Sequence, residues 1–308
     1  MKEKPISTTR LAQICGVSQG TVDRALNNRK GINPKTREHI LAVAKEYGYR
    51  PNIHARSMAG GKSMLIGVVV FDLYNPFFSD MLMRIEEAAA EQGYASVVMF
   101  TDKNSKKEIA NIRELEHMAV DGIIVMPANS GTEYERFLTS LEIPIVTVGN
   151  RLAQFPAAWI NDRAAMVTVM EHVLRKDYEK LIYVTPNLQE KNSFAQQQRR
   201  CAFVEMAGNI PHIVTELSGV EVELAGGQKS AVICPADIYA MRLLETVKKY
   251  RAGIISFDNI SLLDTLGIPL DSVAYDIQRI AQLAVDYIAN GTPIDTTADY
   301  QLILRGSV

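Results

Sequence analysis

From Met64 onward the chain alternates short apolar runs with longer amphipathic stretches, and few folds accommodate that rhythm. The apolar runs are 65–71, 95–100, 122–126, 145–148, 181–185, 231–234, 253–257 and 272–275. Rich in Val and Ile and only a few residues long, they read as strands buried on both faces. Stretches of helical period, such as 80–92, 108–119, 163–175 and 236–250, lie between them. Strand, covering helix and next strand make a right-handed parallel unit. Eight such strands in about 245 residues fit two doubly wound parallel-sheet lobes better than one, with a break near 157–161. The expected α/β domain is thus 64–308, with lobe one over 64–158 and 277–294 and lobe two over 159–276 and 295–308.

The residues before this region differ in charge. Residues 1–62 hold twelve Lys and Arg against four acids, a net +8, whereas the remainder is −10. A small basic module ahead of a larger acidic one points to a head that binds a polyanion and a body that does not.

Residues 7–48 read as three short helices. Ser7 suits an N-cap, Leu11, Ile14 and Cys15 share a face, and Gly16 provides the left-handed residue that ends the first helix. Ser18 caps a second helix with Val22, Ala25 and Leu26 inward. Asn33 and Pro34 open a third, which runs through Ile40, Leu41, Ala44 and Tyr47 to Gly48. Two helices joined by a tight Gly turn form the bihelical unit that sets its second helix in the major groove. Gln19, Gly20, Thr21 and Arg24 lie outward on that second helix, as hydrogen-bonding or very small groups. Ser18, Asn27, Asn33 and Thr36 sit at helix ends, where backbone N–H groups grip phosphates.

The run from Leu11 to Asn27, with its continuation Lys35-Thr36-Arg37 to Tyr49-Arg50-Pro51-Asn52, resembles the signature of the lac repressor/galactose repressor family. Asp23 stands where that family usually has Ser, and Gly20 where relatives often carry a base-contacting side chain. The resemblance implies a helix-turn-helix headpiece over 1–50, a hinge over 51–63 and a periplasmic-binding-protein-like effector domain. It further implies that Ala55, Arg56 and Met58 belong to a hinge helix that folds in the minor groove of specific DNA. Met58 takes the place of the family's Leu wedge.

In such folds ligands bind beyond the strand C-termini, between the lobes. Asn75-Pro76-Phe77-Phe78 follows the first strand and resembles a sugar-binding motif in which Asn bonds a hydroxyl and Phe rings stack on a sugar face. Asp162, Arg199 and Asp258 match the family's polar contacts in the second lobe. Asn150 and Arg151 follow another strand, and Tyr275 stands where relatives often carry Gln. An Arg and an Asp converging on one cleft can hold vicinal hydroxyls. The effector implied is a sugar or cyclic polyol, with a nucleoside as the alternative and a protein corepressor in place of a small ligand as another.

An enzyme is disfavoured, since His39, His54, His117, His172 and His212 are scattered and neither a phosphate loop nor a nucleophile elbow occurs. Cys15, Cys201 and Cys234 make neither a disulfide framework nor a metal cluster, so neither cofactor nor metal is expected. A secreted sugar-binding protein would need a signal peptide and would leave the basic head unexplained. No run approaches the roughly 18–20 apolar residues of a membrane span. The expectation is a cytoplasmic repressor that binds a pseudo-palindromic operator as a homodimer. With Val308 directly after the expected closing strand at 304–308, no Leu heptads for a tetramer are anticipated.

Overall fold

The computed structural model describes residues 6–26, 29–49, 61–186 and 193–308. The chain divides into two compact units, Met1–Ser63 and Met64–Val308.

The first unit holds helices α1 (Thr8–Cys15), α2 (Gln19–Leu26) and α3 (Pro34–Glu46). The Ser7 hydroxyl accepts from the Arg10 amide at 3.2 Å. Gly16 closes α1 at φ 67°, a conformation a β-carbon would penalise. The Asn33 side chain accepts from the Lys35 amide at 2.9 Å, with Pro34 in the first turn. Leu11, Ala12, Val22, Ala25, Ile40, Val43 and Ala44 form the core. Leu41 and Tyr47, the other large apolar residues along this stretch, are 40% and 50% exposed. Ile40, Val43 and Ala44 already complete the inner stripe at helical spacing, and Leu41 is turned about 100° away from Ile40. Ile14, Cys15 and Leu26 are only half-buried.

The first sheet of the second unit comprises β1 (Leu65–Val70), β2 (Ala95–Phe100), β3 (Gly122–Val125), β4 (Ile145–Val148) and β5 (Ala157–Ala158). Its order is β2-β1-β3-β4-β5, and every pairing is parallel. Helices α4 (Pro76–Glu91), α5 (Ser105–His117) and α6 (Thr132–Thr139) connect its strands. The second sheet comprises β6 (Lys180–Val184), β7 (His212–Thr215), β8 (Ser230–Ile233), β9 (Gly253–Asp258), β10 (Asp271–Tyr275) and β11 (Tyr300–Ile303), in the order β11-β10-β9-β8-β6-β7. With it belong α7 (Asp162–Leu174), α8 (Phe194–Ala207), α9 (Val220–Leu224), α10 (Asp237–Tyr250) and α11 (Ser261–Thr265). Helix α12 (Ile277–Asn290) follows β10 but packs on α4 and on β3, β4 and β5. The chain therefore returns to the first sheet before ending in the second.

Three details depart from the sequence reading. The closing strand is Tyr300–Ile303, antiparallel to β10, rather than 304–308. Ser307 instead clamps the neck of β9: its carbonyl accepts from the Ile254 amide at 2.9 Å and its hydroxyl donates to the Ile254 carbonyl at 2.6 Å. Helices α4 and α5 start at Pro76 and Ser105, earlier than apolar spacing implied, because Asn75 and Asn104 cap them with their side chains. The short strand β5 and the edge strand β7 carry too little apolar pattern to stand out.

One continuous core threads both sheets, through Ile66, Ile85 and Val146 on one side and Phe203, Phe257 and Val273 on the other. The chain crossings between the sheets lie side by side. The Ala298 amide donates to the Trp159 carbonyl at 2.9 Å and the Asp276 amide to the Asp299 carbonyl at 3.0 Å. Packing of α12 on the first sheet is close at Gly122, where a β-carbon would stand 2.5 Å from Ile288.

Candidate functional site

The strand orders reverse between β1 and β3 in the first sheet and between β6 and β8 in the second. Such reversals open a crevice at the strand C-termini, because adjacent connections leave in opposite directions. Asn75 follows β1, Pro235 follows β8, Asp258 ends β9 and Tyr275 ends β10. These are the positions that meet.

The Asn75 side chain is used at both ends. Its Oδ1 accepts from the Phe77 amide at 3.2 Å and caps α4, while its Nδ2 donates to Asp258 Oδ2 at 2.7 Å in the other lobe. The Phe77 ring meets Tyr275 edge-on at 5.2 Å. Phe78 turns instead to Phe71, 4.5 Å away, and is core packing as much as site lining. Of the two rings in the motif, Phe77 is the one aimed across the lobes.

Arg199, on α8, is buried in a nest of acceptors. Its Nε donates to Asp162 Oδ1 at 2.8 Å, and an Nη lies 2.6 Å from the same oxygen. Its Nη groups also donate to the Pro235 carbonyl at 3.0 Å and the Tyr275 hydroxyl at 2.8 Å. The guanidinium lies over the Phe257 ring at 4.2 Å. Burial by itself would lower the Arg199 pKa, but Tyr275 and Asp162 outweigh it, so the group stays charged. The sequence reading had Arg199 and Asp258 gripping hydroxyls together, with Asp162 a separate contact. In the structure Asp162 is the counterion of Arg199, and Asp258 faces Asn75.

Asp258 has φ 103° and the next residue, Asn259, φ 46°. Backbone in these regions costs about 1–3 kcal/mol per residue and persists only where neighbours hold it. Asp237, buried at the start of α10, does so. It accepts from the Ser272 hydroxyl at 2.6 Å, the Ile260 amide at 2.8 Å and the Ser256 hydroxyl, while the Asn259 amide donates to Ser272 Oγ at 3.0 Å. Burial pushes the Asp258 carboxyl up to about 8, Asp237 adds to the rise, and Asn75 and Arg199 pull it back.

Asn150 and Arg151 join a different group. The Phe194 amide donates to Asn150 Oδ1 at 2.7 Å, and the Arg151 guanidinium lies 4.6 Å from the Trp159 ring and 5.4 Å from the Phe194 ring. Pro235, Asp237, Phe257, Trp159 and Phe194 were not singled out from sequence. Asp237 carried a signal, an acid just after a strand at a helix start; the role of a proline carbonyl carried none.

On the first unit, Gln19, Gly20 and Arg24 are exposed on α2. Thr21 is half-buried, with its hydroxyl 2.9 Å from Ser18 Oγ, which also accepts from the Thr21 amide at 3.2 Å. Asn33 is occupied by its cap, and Thr36 is half-buried in the first turn of α3. Asp23 pairs with Arg29 at 3.2 Å, both exposed. Asn27, Ala55, Arg56 and Met58 lie outside the described residues. Among the described residues no group of His, Cys, Asp and Glu could hold a metal ion, and no helix is long and apolar enough to cross a membrane.

Comparison with known proteins bears on both units. Residues 11–52 match the family described as bacterial regulatory proteins, lacI family. Residues 63–221 match periplasmic binding proteins and sugar binding domain of LacI family. The HTH-type transcriptional regulator PtxS of Pseudomonas plecoglossicida is 27% identical over 98% of this chain and 95% of its own. The lac repressor dimer bound to operator and the anti-inducer ONPF shares the fold, with a TM-score of 0.84 at 19% identity over 99% of each chain. A periplasmic binding protein/LacI transcriptional regulator from Alkaliphilus metalliredigens, complexed with D-xylulofuranose, superposes with a TM-score of 0.68 at 21% identity over 79% of this chain and 98% of that one. With both parts of its length matched in order, the chain belongs to the LacI family and is a DNA-binding regulator of transcription, not an enzyme.

Proposed function

We propose that this regulator is a cytoplasmic repressor, acting as a homodimer on a pseudo-palindromic operator, whose operator affinity is set by a small polyhydroxylated ligand. A monosaccharide or cyclic polyol held between the lobes fits best. The observation that carries this reading is the convergence of Asn75 and Phe77 from one lobe with Arg199, Asp258 and Tyr275 from the other. An aromatic ring beside paired donors and acceptors suits a molecule with an apolar C–H face and a hydroxyl rim. D-xylulofuranose in the Alkaliphilus metalliredigens regulator is of that class.

On this reading the exposed face of α2, with Gln19, Gly20 and Arg24, enters the major groove. Ser18, Asn27, Asn33 and Thr36 flank it at the phosphates. Residues 51–63 form a hinge in which Ala55, Arg56 and Met58 meet the minor groove, Met58 as an apolar wedge. Ligand acts by changing the relative disposition of the lobes, which biases operator binding.

The test is a thermal-shift screen of sugars, polyols and nucleosides on the full chain, followed by operator binding with and without each hit. A stabilising polyol that changes operator affinity is expected, and Asp258→Ala should lose that response while still binding operator. Stabilisation by nucleosides alone, or by none of these classes, would reject the polyol reading.

A further inference from the structure

The strained turn that carries Asp258 is held by two groups, and the second lies at the far end of the chain. Asp237 is the first, through the Ile260 amide at 2.8 Å and the hydroxyls of Ser256 and Ser272. Between Asp258 and Ile260 stands Asn259, at φ 46°. Its amide donates to Ser272 Oγ at 3.0 Å, and its side-chain Oδ1 accepts from Arg305 at 2.9 Å.

Arg305 belongs to the segment after β11, whose backbone is itself pinned. The buried Asp271 carboxylate accepts from the amides of Arg305, Gly306 at 2.7 Å and Val308 at 3.3 Å. The Asp271 amide in turn donates to the Ser307 hydroxyl at 2.7 Å. From that anchor the guanidinium reaches over the connection between β9 and β10. It donates to Asn259 Oδ1, to the Leu270 carbonyl at 3.0 Å and to Asp264 Oδ1 of α11 at 2.7 Å. A planar fork holds several acceptors in a fixed relation, which a lysine ammonium does not.

The ion pair accounts for little of this arrangement, because the Asp264 side chain is 72% exposed and such pairs add little stability. The bond to Asn259 differs, since it fixes the residue next to Asp258. At φ 103°, Asp258 keeps its conformation only while its neighbours over-determine it. Released, it would relax to negative φ and swing its carboxyl away from Asn75 Nδ2, now 2.7 Å distant.

We propose that Arg305 is a positioning residue for the effector site: by holding Asn259 it keeps Asp258 aimed across the lobes at Asn75. The part Asp258 plays in ligand response rests on the reading above, but its aim does not, so the experiment is run without ligand.

The full chain, at one fixed protein concentration, is unfolded in urea as a double-mutant cycle of Asn75→Ser and Asp258→Ala. Serine still caps α4 but is too short to reach Asp258. The cycle is measured in the wild-type background and again with Arg305→Met. In the wild type the two residues should be coupled by at least about fivefold in the unfolding equilibrium, and with Arg305→Met by less than about twofold. Asn259→Gly keeps positive φ accessible but removes the acceptor, so it should abolish the coupling in the same way. It also decides the matter if Arg305→Met fails to fold. A merely structural Arg305 would lower every midpoint alike and leave the coupling intact. Coupling of wild-type size in either variant overturns the proposal, as does its absence from the wild type. A ligand screen without a hit would instead overturn the polyol reading and leave the result of this cycle standing.

Discussion

The Asn75 side-chain amide donates to the Asp258 carboxyl at 2.7 Å, joining the two lobes through residues 183 positions apart. Asn75 is fixed by capping α4, and Asp258 by a backbone that Asp237 holds at positive φ. Neither partner is free to adjust, so the bond reports directly on how the lobes are disposed.

Asp258 should make stability pH-dependent in a defined window. Its carboxyl is raised from 3.8 to about 8, so between these values the folded chain keeps a proton that the unfolded chain has lost. Its contribution is complete below about pH 4 and falls as pH rises through about 8. Asp258→Asn removes the titration and keeps an acceptor for Asn75. Urea unfolding across this range should show the wild type losing stability relative to the variant as pH increases; parallel curves would place the carboxyl in solvent.

Arg199 and Asp162 form a buried pair whose halves depend on each other. Arg199→Met leaves Asp162 buried without its counterion and should destabilise the chain by about 3–5 kcal/mol. Combining Arg199→Met with Asp162→Asn should recover a large part of the loss. Denaturant midpoints of the two singles and the double give the coupling directly, and additive losses would mean the pair is solvated.

Gly122 tests the packing of α12 on the first lobe. Alanine there puts a β-carbon 2.5 Å from Ile288 and 3.1 Å from the Pro144 carbonyl. The Ile288 side chain can move but the carbonyl cannot, so a loss of about 1–3 kcal/mol is expected. Gly122→Ala with Ile288→Val should relieve part of it, as read by thermal midpoint.

Arg24 is exposed on α2 and should read a base. Arg24→Ala should then weaken operator binding by about 1–3 kcal/mol and random duplex much less. Binding to both should still fall steeply with salt, reflecting phosphates neutralised elsewhere on the basic unit. Equal losses on the two duplexes would make Arg24 a phosphate contact.

Local rules made much of this protein legible from sequence alone. Ser7, Gly16, Asn33 and Pro34 mark the ends of α1 and α3 because capping and left-handed turns depend on residues within a few positions of each other. The buried strands of both sheets show as Val- and Ile-rich runs for the same local reason. What only tertiary structure decided are the pairings. Asp162, Arg199 and Asp258 were each found from sequence, yet which carboxylate would neutralise the arginine depends on how α7, α8 and β9 pack. The assignment of Leu41 and Tyr47 to solvent, the strand at Tyr300–Ile303 and the Pro235 carbonyl as an acceptor have the same origin. A residue's chemistry is written at its own position, but its partner is set by the fold that brings distant positions together, and burial then makes that partnership obligatory.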